Sequence, residues 1–593
     1  MPCNAEQQRI LDDFLRNPAA ITLIQGKAGS GKSYMIRELV SRTRGAVVLV
    51  PTNMAKSVYN NAQTMHSFFY GEFDDLENGY QNPKTYSPQN NSYHGYFENK
   101  LSSVSTIIID EISMVRADTF EMMNVICQNT RRINKPFGGI KLILVGDMYQ
   151  LPPIVEDEAI SQYLNAEYRG CYFFNSHVIQ EHLSEIRYYE LKHSVRHDND
   201  KDYEQILDGL RRGCPVELAV QLLQQLNNRV VNSHDIPNNV VSIASSNAEV
   251  LRINHRELAK LPGQERRELA RFSIKSKASN SYAEYTVDQP QPDDSIYNTI
   301  EVPSKFESDF TFKTGARVMF TESKKKLGYV NGDFGTIVRQ NGDAIMVRID
   351  KSGDVVEINR VDHYRYKMKY DENKHSLTKE TPYIQKTNQY PLKLAYAFTI
   401  HKSQGQTYER VVLDLHSHIF ASGQLYVALS RVKSLNGLYL TKPVSISDII
   451  VDQEVIDFLR SFSREETSTM IQYSSAPRLQ DSSQIREFRS FVSSHEKMAS
   501  VRFYVENSLA LAASLFEKGY YAYALLELKK CLVILEDYYY TEGYEGITNS
   551  IKDLEDRFPQ ISKSDCDTAL RLMSGLYSRL YTTSHKTVIN DRR

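Results

Sequence analysis

The stretch AITLIQGKAGSGKSYMIRELVSRTR, residues 20–44, predicts the architecture of the first part of the chain. It begins with an apolar run, continues through a glycine-rich turn, and ends in a segment whose apolar residues recur with helical spacing. The turn, Gly26–Ser33, fits the pattern G-x-x-x-x-G-K-[ST], in which backbone N–H groups surround phosphate oxygens at a helix N-terminus. We therefore expect a strand, a phosphate-binding loop and a helix at this position.

Three further apolar runs predict additional strands of the same sheet. They cover residues 46–50, 105–110 and 140–147, and helix-type segments separate them. Nearly continuous apolar runs of this length are typical of strands that are covered on both faces. Their alternation with helices predicts a doubly wound α/β domain over residues 1–190.

A second α/β pattern follows the first and is interrupted by a β-rich insertion. We assign residues 191–333 and 392–462 to this second domain. The insertion, 334–391, has short alternating strands with Asn-Gly and Gly-Asp turns, which indicate a small antiparallel module. A polar linker, 463–484, then precedes a C-terminal helical domain, 485–593, so the fold class is α/β with two parallel-sheet domains and two appended units.

Composition sets limits on the protein class. A chain of 593 residues is too long for one hydrophobic core, and its 71 basic and 73 acidic residues give no net bias towards a charged partner. The six cysteines are scattered without a C-x-x-C pair, which argues against a zinc site or a disulfide framework. The N-terminus lacks the features of a signal peptide and no apolar run is long enough to span a bilayer, so we expect a cytoplasmic protein with no membrane contact.

The acidic pair Asp110–Glu111 stands at the end of the apolar run 105–110 and complements the phosphate loop. Asp110 would hold Mg²⁺ together with Ser33, and Glu111 would polarise the attacking water. Lys32 would place its charge at the β- and γ-phosphates, and Gln150, in GDMYQLPPI, would sense the γ-phosphate. We predict ATP and Mg²⁺ as ligands, with nucleotide contacts from Gly26, Lys27, Ala28, Gly29, Ser30, Gly31, Lys32 and Ser33.

Several longer strings resemble one family of motor proteins. The stretch IIIDEISMVRADTFEMMNVICQNTRRINKPFGGIKLILVGDMYQLPPI, residues 107–154, resembles the Pif-type branch of superfamily-one DNA helicases, relatives of the RecD helicases. HSFF at 66–69, TIHKSQGQT at 399–407 and YVALSRV at 426–432 continue the resemblance in the family's order. The resemblance implies two RecA-like domains with a small inserted β-barrel, ATP hydrolysis, and 5′→3′ movement on single-stranded DNA.

The resemblance also implies further nucleotide contacts. The segment Asn4-Ala5-Glu6-Gln7 resembles the one that reads adenine in the family. A glutamine amide can both accept from and donate to an adenine edge, and we choose Gln7 over Gln8 for this role. Arg196 matches an arginine that reaches the γ-phosphate from the second domain, although His197 stands where the family usually has Gln. Arg431 matches the arginine finger, so the site would be complete only when the two domains close.

For the nucleic-acid strand, the resemblance implies contacts from both domains. These are Thr52, Thr64, His66 and Phe68 in the first domain and Asn247, Asn254, Thr399, His401 and Lys402 in the second. Hydroxyl groups can bond phosphates and aromatic rings can stack on bases, but His66 can also be a structural histidine and Phe68 a core residue. The insertion 71–104 occupies the place of the family's wedge, which separates the strands.

The predicted function is therefore an ATP-dependent 5′→3′ DNA helicase that acts on single-stranded, 5′-tailed or forked DNA as a monomer. Two alternatives stay open. One is a motor that moves on nucleic acid or remodels its complexes without separating strands. The other is a nucleotide-gated interaction protein that works through its C-terminal helices, which are a candidate surface for a protein partner.

Overall fold

The computed structural model describes most of the chain up to Phe462 and six residues beyond it. The gaps within residues 3–462 are 53–54, 56–57, 60, 70–91, 156, 198–199, 233–234, 238–239, 277–280, 290–299, 304, 374, 380–382, 416–418 and 420. The six further residues are Leu511, Ala512, Leu515, Ala524, Glu527 and Leu528. The predicted linker, 463–484, and the rest of the predicted C-terminal domain, 485–593, lie outside the described residues.

Helices and strands alternate in the first third of the chain, and strands dominate the middle. The α-helices are α1 Ala5–Arg16, α2 Lys32–Arg42, α3 Met65–Phe68, α4 Ser92–Ser102, α5 Ala117–Arg131, α6 Glu158–Tyr168, α7 His177–Glu181, α8 Lys201–Arg212, α9 Val216–Asn227, α10 Asn247–Ala259, α11 Ile400–Ser403, α12 Gln424–Leu429 and α13 Gln453–Arg460. The strands are β1 Ile21–Gly26, β2 Ala46–Val50, β3 Gln63–Thr64, β4 Thr106–Ile109, β5 Lys141–Gly146, β6 Arg187–Leu191, β7 Val241–Ala244, β8 Arg266–Leu269, β9 Arg271–Lys275, β10 Tyr282–Thr286, β11 Asp309–Phe312, β12 Arg317–Phe320, β13 Phe334–Asn341, β14 Ala344–Ile349, β15 Val355–Ile358, β16 Val361–Arg365, β17 Met368–Asp371, β18 Ser376–Lys379, β19 Gln385–Gln389, β20 Leu392–Leu394, β21 Ala397–Thr399, β22 Val411–Asp414 and β23 Leu438–Leu440.

The first domain is built on a parallel sheet with the strand order β3-β2-β4-β5-β1-β6. Every residue of β1 and β4 is buried, as expected for strands with helices on both faces. The predicted α/β domain is confirmed. Because the carboxyl ends of parallel strands share one edge, the loops after β1, β4 and β5 meet there.

The second domain has a smaller parallel sheet, in the order β21-β7-β22-β23. Helices α8 and α9 pack on it, so that Ile206 and Leu223 share a core with Val411 of β22. The second α/β domain is therefore confirmed as well. Its sheet is assembled from strands far apart in sequence, because β7 precedes the β-rich region and the other strands follow it.

The β-rich region is larger than predicted. We expected a module over residues 334–391, but antiparallel strands begin with β8 and continue to β20. They form a five-stranded sheet, β15-β14-β13-β12-β20, a four-stranded sheet, β10-β9-β19-β16, and two antiparallel pairs, β11-β8 and β17-β18. The apolar run at 316–320, which we assigned to the second α/β domain, is β12 in the five-stranded sheet. The prediction missed β8–β11, in which β8 pairs with the more distant β11, and β9 pairs both with its neighbour β10 and with β19, which lies much later in the chain.

The end of the described chain returns to the first domain, which corrects the predicted boundary at residue 462. In helix α13 the Phe458 ring stacks on Phe174 with centroids 4.2 Å apart. The Tyr172 hydroxyl donates to Asp452 Oδ2 at 2.7 Å, just before that helix. Leu459 is buried in the same core as the strands of the first sheet. Residues 453–462 therefore belong to the first domain, although their helical pattern gave no indication of which domain they cover.

The six described C-terminal residues lie against the second domain. Leu511, Leu515 and Leu528 are buried in its core, and the Ser447 N–H donates to Glu527 Oε1 at 3.2 Å. The chain thus contacts the first domain at α13 and the second domain at these later residues.

The predicted wedge, 71–104, is described only in its last part. Residues 71–91 lie outside the described residues, and α4 follows them. Phe97 and Leu101 of this helix are buried in the core of the first domain, so this part of the insertion is a packed helix rather than a projecting element. Within the described chain, no helix combines the length and apolarity that a membrane span requires.

Candidate functional site

The phosphate loop connects β1 to α2 in the predicted strand–loop–helix arrangement. Gly29 and Gly31 both have φ of +79°, a conformation that side chains rarely adopt. The Lys32 ammonium donates to Gly26 O at 2.6 Å and to Lys27 O at 3.1 Å, and burial lowers its pKa. The Ala28 N–H donates to the Tyr426 hydroxyl of the second domain at 2.8 Å. The Lys32 ammonium and the Ala28 N–H, which this motif uses to bind phosphates, are therefore hydrogen-bonded to other protein groups.

The acidic pair follows β4 at the same edge of the sheet. Burial and the neighbouring Glu111 raise the pKa of Asp110 to about 6. The Tyr59 hydroxyl donates to Asp110 Oδ2 and is also in hydrogen-bond contact with Ser33. Glu111 has φ of +54°, which is uncommon for a residue with a side chain. Tyr59 was missed from the sequence, because it lies outside the matched strings.

Gln404 links the second domain to the acidic pair. It directly follows α11, and its amide donates to Gln150 Oε1 at 3.2 Å and to Glu111 Oε2 at 3.4 Å. The structure thus brings together two predicted catalytic residues and one that we did not predict. The signal was available, because Gln404 lies inside the string TIHKSQGQT on which the resemblance rests.

Asp147 is a buried carboxylate that accepts hydrogen bonds from residues of both domains. The Arg211 guanidinium donates to its Oδ1 through Nη2 at 2.9 Å and Nε at 3.0 Å, and the Tyr426 hydroxyl donates to its Oδ2 at 2.8 Å. The Gln25 amide donates to Oδ1 at 3.1 Å. Burial alone would raise the pKa of Asp147, but the charges of Arg211 and Lys32 hold it below its ordinary value. This network was not predicted, since its members come from four separate segments.

The two predicted arginines lie at the boundary between the domains. Arg196 N–H donates to Gly29 O at 3.3 Å, and its Nη1 donates to Ser430 O at 2.8 Å. Burial and the charge of Arg431 lower the pKa of Arg196 to about 10. Arg431 is buried and donates to Val427 O at 2.8 Å, within its own domain. Arg196 therefore contacts the phosphate loop, whereas the hydrogen bond of Arg431 to Val427 O lies within the second domain.

Gln7 lies against the phosphate loop, as the sequence suggested. Its amide donates to Ser30 O at 3.0 Å and it accepts from the Asn4 N–H at 3.1 Å. Gln8 instead donates to Asp12 within α1. The geometry therefore favours Gln7 as the residue next to a bound nucleotide.

A groove runs beside this cleft, formed by two cavities that share Met319 and Lys402; we call it the strand groove. One cavity is lined by residues of both α/β domains, among them Thr52, Glu111, Met114, His401 and Gln404. The other is lined mainly by the second domain and the β-rich region, among them Asn247, Asn254, Glu307, Lys393, Phe398 and Thr399. The predicted strand contacts in this groove are Thr52, Asn247, Asn254, Thr399, His401 and Lys402.

Some predicted strand contacts have structural roles that explain their residue types. Asn254 is 1% exposed, and its amide donates to Leu394 O while its oxygen accepts from the Tyr396 and Ala397 N–H groups. These bonds use the oxygen and one of the two amide N–H groups to hold α10 against β20 and β21. Asn254 therefore shapes the wall of the groove, and its direct contact with the strand stays a prediction.

Among the first-domain contacts predicted near α3, that of Phe68 is wrong, while those of Thr64 and His66 stay predictions. Phe68 is 1% exposed and packs against Phe97, so it is a core residue and does not offer a stacking surface. The Thr64 side chain caps α3 by accepting from the Ser67 N–H at 3.1 Å. His66 is exposed, and neither it nor Thr64 lines the strand groove. The sequence could not show this, because the burial of Phe68 depends on α4.

The comparisons with known proteins agree with this geometry. Residues 3–218 match the PIF1-like helicase family model. The chain is 30% identical over 454 residues to the ATP-dependent DNA helicase Pif1 of Bdellovibrio bacteriovorus, which covers 76% of this chain and 90% of that protein. The chain belongs to the PIF1-like helicase family.

Solved structures place this PIF1-like helicase among Pif1 folds. Bacteroides Pif1 bound to single-stranded DNA superimposes with a TM-score of 0.61 and 26% identity, over 78% of this chain and 97% of that chain. A structure of two coordinating Pif1 helicases at forked double-stranded DNA gives the same TM-score of 0.61, with 26% identity, 78% of this chain and 97% of that chain. The family resemblance drawn from the sequence is thereby confirmed.

Proposed function

We propose that the chain is an ATP-dependent DNA helicase that moves 5′→3′ along single-stranded DNA and opens 5′-tailed or forked duplexes. One observation carries the proposal beyond family membership. The segment from α11 to Gln404 contacts both sites, since His401 and Lys402 line the strand groove while Gln404 donates to Glu111 and Gln150. A change at the acidic pair can therefore move the wall of the groove directly.

The cleft fits a nucleotide with a divalent cation. Lys32 and the loop N–H groups would bind phosphates in place of their present protein partners. Ser33 and Asp110 would hold Mg²⁺, whose charge would offset that of the phosphates. The Tyr59 hydroxyl already bridges these two side chains, so they are close enough to share one cation.

The residues of the cleft have distinct roles in the proposed hydrolysis. Glu111 would accept a hydrogen bond from the attacking water, and Gln150 would orient it. Arg196 and Arg431 would turn from Ser430 O and Val427 O towards the charge that develops on the phosphoryl oxygens. Because these arginines come from the second domain, their movement closes the cleft and shifts α11 along the strand groove.

Strand displacement tests the proposal and its polarity. Duplexes of equal length with a 5′ tail, a 3′ tail or a fork are incubated with the protein and ATP, and release of the labelled strand is followed. We expect release from the 5′-tailed and forked substrates. Release from the 3′-tailed substrate alone would contradict the proposed direction, and ATP hydrolysis that single-stranded DNA does not stimulate would favour the nucleotide-gated interaction protein.

The wedge remains a prediction and now narrows to residues 71–91, because α4 is packed in the core. Replacing 71–91 by a short glycine-serine linker should abolish unwinding and spare DNA-stimulated ATP hydrolysis. Unwinding by this variant would show that the strands are separated elsewhere in the protein.

A further inference from the structure

Glu307 is a carboxylate buried in the wall of the strand groove. Its side chain is 8% exposed, and its Oε1 accepts from the Leu394 N–H at 3.2 Å. Its Oε2 is buried without a hydrogen-bond partner among the described residues. Burying an unpaired polar oxygen is unfavourable, so nearby charge has to compensate for it. Glu307 precedes β11 and lies outside every string that carries the family resemblance.

Two lysines supply that charge from other elements. Lys393 in β20 and Lys402 in α11 line the same cavity as Glu307. Each amino group affects the pKa of the other, and the charge of Glu307 acts to raise both pKa values. Burial and the charge of Lys393 lower the pKa of Lys402 to about 8, and burial raises the pKa of Glu307 to about 7. Two ammonium groups are thus held together around one carboxylate.

This arrangement differs from the other lysine–carboxylate contacts near the domain boundary. Lys27 is bonded to Glu204 and Asp208 at 2.8 Å each, so its charge is matched by carboxylates. Around Glu307, two cations share one anion, because the Asp309 carboxylate in the same cavity is paired with Arg267 at 2.8 Å. Asn247 and Thr399 also line this cavity. An additional anion in this cavity would match the second ammonium group. A phosphodiester has one negative charge and two unesterified oxygens, one for each lysine.

We propose that Lys393 and Lys402 together form one backbone-phosphate site of the strand groove, and that Glu307 holds this pair in place when no phosphate is bound. The inference rests on the proposed function, because it describes how the same groove takes single-stranded DNA. Since Glu307 is anchored to the backbone of Leu394, it stays beside the lysines when phosphate is bound. Its negative charge then weakens the site and favours release as the strand advances.

The first test removes one lysine. In Lys393→Met, affinity for an oligothymidylate should fall about tenfold, as expected for loss of a charge-assisted bond. The slope of log affinity against log salt should decrease by about 0.7, the value for one phosphate contact on a single strand. Lys393→Arg should keep the wild-type slope. Lys141→Met is the matched control, because Lys141 begins β5 at the end of the sheet opposite the cleft.

The second test removes the counter-charge. In Glu307→Gln, single-stranded DNA should bind about threefold more tightly, and translocation should slow because each phosphate leaves later. Glu257→Gln, which removes a carboxylate paired with Lys260, is the control and should change neither property. Weaker binding by Glu307→Gln, in a variant with a wild-type melting temperature, would overturn the role assigned to Glu307.

Failure of this inference differs from failure of the proposed function. If the wild-type protein does not bind single-stranded DNA, the proposed function is wrong. The wild-type protein could instead bind DNA and unwind 5′-tailed duplexes while Lys393→Met keeps the wild-type affinity and salt slope. In that case only the proposed phosphate site is wrong. Should Glu307→Gln fail to fold, the comparison of Lys393→Met with Lys393→Arg decides the matter alone.

Discussion

The nucleotide cleft and the strand groove lie side by side, but they differ in how their charged groups are paired within the protein. In the cleft, Lys32 and the Ala28 N–H are bonded to protein groups, and Asp147 is matched by Arg211. In the groove, Lys393 and Lys402 share a single carboxylate beside an open cavity. The cleft must therefore exchange protein bonds for nucleotide bonds, which couples it to domain contacts. The groove can take an anion with little rearrangement.

The largest expected effect comes from Lys32→Ala, which should impair the nucleotide cleft and leave the strand groove intact. In Lys32→Ala, ATP hydrolysis should fall about 10³-fold or more, because the charge at the phosphates is lost. Affinity for single-stranded DNA should stay within about twofold, because Lys32 does not line the groove. ATP turnover and fluorescence anisotropy measure the two properties, with Lys141→Ala as the control. Loss of DNA binding in a folded Lys32→Ala protein would show that the sites are not independent.

A smaller effect tests whether the second domain acts on the reaction or on binding. In Arg431→Ala, turnover should fall about 10²-fold while nucleotide affinity changes only a few-fold, because the arginine acts on transition-state charge. Turnover and nucleotide titrations give the two numbers, and Arg460→Ala on the exposed side of α13 is the control. Equal loss of turnover and affinity would instead indicate a simple binding role.

The protein bonds that occupy the cleft are tested by Tyr426→Phe. Without the hydroxyl, the Ala28 N–H and Asp147 Oδ2 each lose a partner in the nucleotide-free protein. A bound phosphate restores the partner of Ala28, so nucleotide affinity should rise about fivefold, the effect of one hydrogen bond. Titration with a fluorescent nucleotide measures it, with Tyr439→Phe as the control. Unchanged or weaker binding would show that Tyr426 does not compete with nucleotide.

The smallest effect concerns the groove alone and depends on pH. The pKa of Lys402 is lowered to about 8, so its ammonium loses its proton as pH rises from 7 to 9. Glu307, with its pKa raised to about 7, becomes more negative over the lower part of that range. Both changes weaken phosphate binding, and we expect DNA affinity to fall about threefold at constant salt. Lys402→Arg should flatten this profile, and a flat wild-type profile would contradict the argument.

Contiguous strings predicted much of this molecule. The strand, loop and helix around Lys32 and the acidic pair after β4 are encoded by neighbouring residues, so their elements could be assigned directly. The family resemblance added the two domains and several groove residues, among them Thr52 and His401. The predictions of the fold succeeded because each depends on local spacing within a string, while the strand contacts of Thr52 and His401 stay predictions.

Other features depend on partners that are distant in the sequence. Tyr59, Gln404 and the Asp147–Arg211 pair acquire their roles only when separate segments meet. Residue type alone did not show that Phe68 points into the core. In the same way, the amphipathic pattern of α13 predicted a buried face without identifying the domain that covers it.

Helix α13 also determines how the two domains can move. The chain crosses from the first domain to the second after β6 and crosses back before α13, so the second domain is attached at two points. A body attached at two points rotates about the line that joins them more readily than it translates. Phe462 packs on the first domain and Leu511 on the second, so a rotation of one domain against the other would change the distance between these two residues. A pair of fluorophores at these two positions would report that rotation.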